Sequence, residues 1–225
     1  MATILELAEL SNAVYTGAKV SGWTVLQTSD GYSSSSSPAY YGVAYENTQT
    51  HEIVIANRGT DFQNVSMGLS SLLNDADLAL SADSPDENAA IAFARLIAAK
   101  YPGHTLTETG HSLGGSEAQA ATAALIDATP SVAVTAVTFN APGVASNYFD
   151  KALTSYPVLN LYAQGDWIHA AGTINGGGHL GSSAVLPEGP SFAQEWSDLT
   201  LQHFNGHLVN RKPSHTILSN SVGDI

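Results

Sequence analysis

The sequence predicts an α/β domain built on a largely parallel sheet. Short β-branched runs such as VAVTAVTFNAP (132–142) alternate with helical stretches such as SLGGSEAQAATAALIDA (112–128). At 225 residues the chain is long enough to bury a core. Hydrophobic residues at 44% and charged residues at 12% are a globular balance. No internal repeat or linker divides it, so residues 1–225 read as one domain.

In the N-terminal stretch MATILELAELSNAVY, Ile4, Leu7, Leu10 and Val14 fall at helical spacing. Glu6 and Glu9 stand where a signal peptide carries positive charge, so this is read as a packed first helix. WTVLQTSD (23–30) and AYYGVAYENTQ (39–49) read as strands joined by the serine-rich, solvated connection GYSSSSSP. HEIVIANRGTD (51–61) is an apolar strand that stops abruptly at Arg58-Gly59. The stretch 65–80, with Met67, Leu72 and Leu73 among polar residues, reads as a short helix.

Residues 84–101 carry the start signals of a helix: Ser84 as N-cap, Pro85 at the first helical position and acids in the first turn. HTLTETG (104–110) reads as a strand and the alanine-rich segment after it as a helix. A strand at 132–142, a short helix over 147–155 and a strand over 156–166 follow. The tail holds GGGHLG, AVLPEG, a Trp-bearing segment near 190–202 and a histidine-rich end.

Composition narrows the function. Seven basic against 20 acidic residues give a formal charge of −13, which repels nucleic-acid phosphates and anionic membranes. With no cysteine there is neither a disulfide, nor a thiolate metal site, nor a thiol nucleophile. No apolar run approaches the ~20 residues that span a bilayer, so the expectation is a soluble protein, cytoplasmic or exported without a classical signal.

The chemistry concentrates at TGHSLGG (109–115). By chance a G-x-S-x-G would occur in roughly one chain in five of this composition, so its context must decide. That context is a strand-to-helix junction, where a nucleophile elbow sits. So sharp a turn needs flanking residues almost without side chains, met by Gly110 and Gly114, while Gly115 lets the helix approach the sheet. Ser112 would then lie at a helix N-terminus, with the Leu113 N–H as one donor to developing negative charge. The plainer reading makes Ser112 an N-cap.

A nucleophilic serine needs a base and an orienting carboxylate. Asp166 ends the strand over 156–166 at the same sheet edge as Ser112. Asp150 falls inside the short helix, and Asp75 and Asp77 precede the serine in a surface segment. The plainer reading makes Asp166 a turn residue. Among the histidines, His51 and His104 sit at strand starts, His111 lies in the elbow, His169 follows Asp166 too closely and His179 lies in GGGHLG. His203, His207 and His215 remain downstream, in the order Ser…Asp…His. His215, in KPSHTILSN, is preferred, with His207, in FNGHLVN, as its rival.

With these residues assembled, the chain resembles the class-three lipase family of α/β-hydrolases, as a bacterial-type relative. IVIANRGTD resembles the family strand ending in Arg-Gly-Ser/Thr, TGHSLGG its nucleophile block and VTFNAPGVA its Thr-Phe-Gly-Ala-Pro strand and turn. The resemblance runs in short blocks from about residue 8 to 220. It implies an α/β-hydrolase fold and a Ser112, Asp166 and His215 triad. It also implies an oxyanion hole of Thr60 and Leu113 and a lid over 61–80.

The implied reaction is hydrolysis of lipid or small acyl esters, as a lipase, an esterase or a phospholipase, with transient contact to a lipid interface and no cofactor or metal. Three residues depart from the family pattern: Glu108 before the elbow, Asn140 in place of glycine and Glu117 in place of a small residue. Two alternatives stand beside esterolysis, namely a catalytically silent scaffold that binds a partner and an amide or peptide hydrolase.

Overall fold

The computed structural model describes residues 1–30, 40–59, 84–129, 131–164, 166–170 and 177–186. Among the described residues, seven strands form one sheet in sequential order: β1 (Trp23–Thr28), β2 (Tyr41–Asn47), β3 (Ile53–Arg58), β4 (Leu106–His111), β5 (Val134–Phe139), β6 (Val158–Tyr162) and β7 (Ser182–Val185). The pairs β1–β2 and β2–β3 are antiparallel, and every pair from β3 to β7 is parallel. The carboxyl ends of β3 to β6 therefore lie along one edge.

Helix α1 (Ile4–Thr16) begins with a capping box. The Thr3 side chain accepts from the Glu6 N–H at 3.2 Å, and Glu6 Oε2 accepts from the Thr3 N–H at 2.8 Å. Glu6 Oε1 also accepts from Trp23 Nε1 at 3.2 Å, tying the helix to β1. Helix α2 (Pro85–Lys100) is capped by Ser84 as its sequence predicts, and α3 (Leu113–Ala128) follows β4 directly.

The sheet carries helices on both faces. Val54 and Ala56 of β3 pack with Leu7, Leu10 and Val14 of α1, while Ile53 and Ile55 pack with Phe93 and Ile97 of α2 and Leu125 of α3. This burial on both faces is why β3 reads as a continuous apolar run rather than an alternating one.

One expectation is corrected. Residues 147–155 form no α-helix but two single 3₁₀ turns, Ser146–Tyr148 and Leu153–Ser155. Asp150 lies between them, its N–H donating to Tyr156 Oη at 3.0 Å and to Asp127 at 3.1 Å. These side-chain acceptors take the place of an i−4 carbonyl, so a continuous helix does not form. Strand β7, to which the sequence reading assigned no element, begins at Ser182 and runs into AVLPEG. The expected short helix over 65–80 lies outside the described residues.

Candidate active site

Ser112 sits between the last residue of β4 and the first of α3 at φ 55° and ψ −130°, a conformation few non-glycine residues adopt. The turn is held by the Ser112 N–H on the Phe139 carbonyl (3.0 Å) and the Gly115 N–H on the Ser112 carbonyl (2.9 Å). The Ser112 hydroxyl makes no capping hydrogen bond to the helix it precedes. That separates the two sequence readings: the side chain is not used as an N-cap, and the strain serves no helix-starting purpose. The Leu113 N–H is the first of α3, one of the four at a helix start without a partner inside the helix.

The glycines explain how the turn closes. A Cβ on Gly110 would stand 2.1 Å from the Gly114 carbonyl oxygen, and one on Gly114 would stand 2.2 Å from the Asn57 carbonyl oxygen and 2.7 Å from the Gly59 nitrogen. The start of α3 thus lies directly against the end of β3. Gly114→Ala is expected to push these backbones apart and cost about 3 kcal/mol of stability, measurable as a lower denaturant midpoint.

Asn140, where a glycine was expected, adopts φ 48°, the left-handed region that asparagine tolerates better than most residues. Its side chain uses the position. Asn140 Oδ1 accepts from the Ala163 N–H and its own N–H donates to the Leu161 carbonyl, both at 2.8 Å. The ends of β5 and β6 are stitched together there, three residues before Asp166.

Asp166 follows β6 and caps α4 (Trp167–Ala170), its Oδ1 accepting from the N–H groups of Ile168 (2.8 Å) and His169 (3.0 Å). Oδ2 has no partner among the described residues. Burial raises the carboxyl above its usual range, against the two amide donors that lower it. Registers Phe139–His111 and Phe139–Leu161 put the ends of β4 and β6 on either side of β5, so Ser112 and Asp166 emerge from the same edge.

Two histidines lie nearby. His169 stacks between Tyr162 and His179, with ring centroids 3.7 and 3.9 Å away. Its Nδ1 meets the Ala141 carbonyl at 3.3 Å, and His179 Nε2 meets the His169 carbonyl at 2.9 Å. Burial and the neighbouring His179 hold His169 neutral down to about 4. Of the remaining expected site residues, Thr60, His203, His207, His215 and the lid segment 61–80 lie outside the described residues.

The structure adds residues the sequence reading did not single out. Tyr15, at the end of α1, accepts the Gly59 N–H at 2.7 Å and donates to the His111 carbonyl at 3.4 Å, bracing the residue before Thr60 against the elbow. Asn57, a polar residue in an apolar strand, is fully buried beside the same turn. That interruption is the signal by which it could have been found.

Behind the elbow lie three buried carboxyls: Glu87 on α2, Glu108 on β4 and Glu117 on α3. Loss of solvent raises all three, Glu87 to about 7 and Glu108 to about 8. Carboxyls raised in the folded state stabilise it fully below about 4.5, and that contribution is lost as pH rises through about 7 and about 8. Between pH 6 and 9 the loss should reach about 4 kcal/mol, a fall of roughly 8–16 °C in the thermal midpoint. Glu108→Gln should flatten that slope; an identical slope in the variant would refute the assignment.

The family pattern described as Lipase (class 3) matches residues 46–174. No curated protein matches the chain. Among solved structures, Lip2 lipase from Yarrowia lipolytica is 16% identical with a TM-score of 0.55 over 84% of this chain and 78% of that one. A triacylglycerol lipase from Penicillium expansum is 19% identical with a TM-score of 0.53 over 80% and 77%. A lipase from Rhizopus microsporus var. chinensis is 18% identical with a TM-score of 0.52 over 84% and 77%. Among the described residues no helix is long and apolar enough to cross a membrane. With an α/β-hydrolase sheet, a strained serine between β4 and α3 and a family pattern over more than half its length, the chain belongs to the class 3 lipases, hydrolases of lipid carboxylic esters.

Proposed function

We propose that the chain hydrolyses lipid or small acyl esters through an acyl-enzyme, with Ser112 as nucleophile, His215 as base and Asp166 as the carboxylate that orients the base. The carrying observation is Ser112 itself, a strained serine whose hydroxyl caps nothing, on the sheet edge that also bears Asp166. Ser112 Oγ attacks the ester carbonyl carbon as His215 takes its proton. The tetrahedral oxyanion rests on the N–H groups of Leu113 and Thr60. Collapse expels the alcohol, which leaves with the proton from His215. Water then attacks the acyl-enzyme by the same route, releasing the carboxylic acid and restoring Ser112.

Asp166 suits its part because Oδ1 is fixed by two backbone donors while Oδ2 has no partner among the described residues. Asp166→Asn should lower kcat by about 10⁴. No metal or organic cofactor takes part. The segment 61–80 is proposed as the lid, the whole chain as one domain and contact with a lipid interface as transient.

The test is turnover of a p-nitrophenyl acyl series, from acetate to palmitate, with fluorophosphonate labelling of the same protein. Hydrolysis of at least one ester, with one label per chain on Ser112, is expected. A protein inert toward every ester and unlabelled would be the silent scaffold. Faster turnover of matched anilides than of esters would favour the amidase.

A further inference from the structure

We propose that Glu108 is a positioning residue for this reaction: through Asn57 it fixes the carboxyl end of β3 against the nucleophile elbow, and with it the oxyanion side of the site. The inference rests on the reading of Leu113 and Thr60 as oxyanion donors.

Glu108 is fully buried on β4, four residues before Ser112. Its Oε2 accepts from Asn57 Nδ2 at 2.8 Å. The second Asn57 amide proton reaches the Thr109 carbonyl at 3.3 Å, and Asn57 Oδ1 accepts from Tyr40 Oη at 2.7 Å. Every donor of the Asn57 side chain is used, and its oxygen too, inside a region without solvent. Removing an acceptor from such a chain leaves a buried donor unsatisfied, which costs more than the hydrogen bond contributed.

The chain of contacts leads to the proposed oxyanion hole. Asn57 pairs in register with Gly110 of the elbow strand, and its carbonyl lies where any Cβ on Gly114 would fall. The Gly59 backbone stands against the His111 carbonyl and the Gly114 nitrogen, and Thr60 is the next residue. Rotation at Asn57 would therefore move the Gly59 backbone off the start of α3, where the proposed Leu113 donor lies. Displacements near 1 Å at such sites cost about 10²-fold in rate.

The cluster also links this brace to pH. Glu108 acts on Tyr40 ahead of β2 and on Glu117 of α3, and Glu117 is in turn acted on by Asp86 and Glu87 of α2 and Arg58 of β3. Among the described residues Glu108 Oε1 and Glu117 Oε2 have no hydrogen-bond partner, so a charge is compensated only in part, by Asn57 on Glu108 and by Arg58 on Glu117. As a neutral acid, Glu108 still accepts from Asn57 through its carbonyl oxygen. As pH rises through about 8, Glu108 ionises beside Glu117, and kcat should fall with it.

The experiment compares wild type, Glu108→Gln, Glu108→Leu and Tyr40→Phe on p-nitrophenyl butyrate across pH 6 to 9.5, with circular dichroism confirming each fold. Glu108→Gln retains the acceptor without the titration. It should keep kcat at pH 7 within about threefold and shift or abolish the alkaline fall. Glu108→Leu should lower kcat about 10- to 100-fold at little-changed KM. Tyr40→Phe, which loses only the outer hydrogen bond, should lower kcat severalfold. If Glu108→Leu does not fold, the glutamine profile and the Tyr40→Phe kcat decide alone. Wild-type kcat in Glu108→Leu, or a glutamine variant with the wild-type alkaline profile, overturns the proposal. A wild type that cleaves no ester fails at the earlier step, the assignment of the reaction.

Discussion

Ser112→Ala is expected to lower kcat on p-nitrophenyl butyrate by about 10⁶ while leaving the thermal midpoint unchanged. The two halves of this expectation have separate physical sources. The rate falls because alanine supplies no nucleophile, and the remaining oxyanion donors and substrate contacts act without a group to attack the carbonyl. Stability holds because the Ser112 hydroxyl makes no hydrogen bond to the start of α3, so its loss orphans no partner there. Alanine meets the same steric cost at φ 55° that serine does, so the strain is neither relieved nor increased. An ordinary N-cap would behave in the opposite way: its alanine variant would cost about 1 kcal/mol and spare catalysis. Parallel kinetics and melting curves on the one variant therefore decide between the two roles, and turnover by Ser112→Ala would remove it from the mechanism.

What the sequence made legible was what local rules encode. Ser84 and Pro85 mark the start of α2 because caps act within one turn, and Gly110 and Gly114 mark the elbow because only a missing Cβ fits there. β3 stops at Arg58 as its pattern predicts. The Glu108–Asn57 bond was hidden because it joins residues 51 positions apart: Asn57 interrupts an apolar strand and Glu108 departs from the family pattern, but neither points to the other. Glu108 and Asn140 looked like departures from a family pattern, yet each has a definite use: one holds Asn57, and the other takes a left-handed turn and binds the Ala163 N–H. The expectation of a helix over 147–155 failed because the Asp127 and Tyr156 side chains, brought in from elsewhere, take the Asp150 N–H. Long-range partners overrode local propensity there.

His215→Ala should match Ser112→Ala in size, and His207→Ala should stay within severalfold of wild type. The serine proton has to go to a base, and a serine without its base is as deficient as no serine, so the double variant should lose little beyond either single one. The described histidines closest in sequence to Asp166 are committed elsewhere. His169 is stacked between Tyr162 and His179 with Nδ1 on the Ala141 carbonyl, and His179 turns Nε2 to the His169 carbonyl. This supports the proposed base from the chain after β7, in the order Ser…Asp…His. The measurement is kcat/KM against pH for the two single variants. In His207→Ala the acidic limb set by the base should stay where wild type has it. In His215→Ala the residual rate should lose that limb, since the group titrating it is gone. Exchange of these two outcomes would transfer the role to His207 and leave the parts of Ser112 and Asp166 intact.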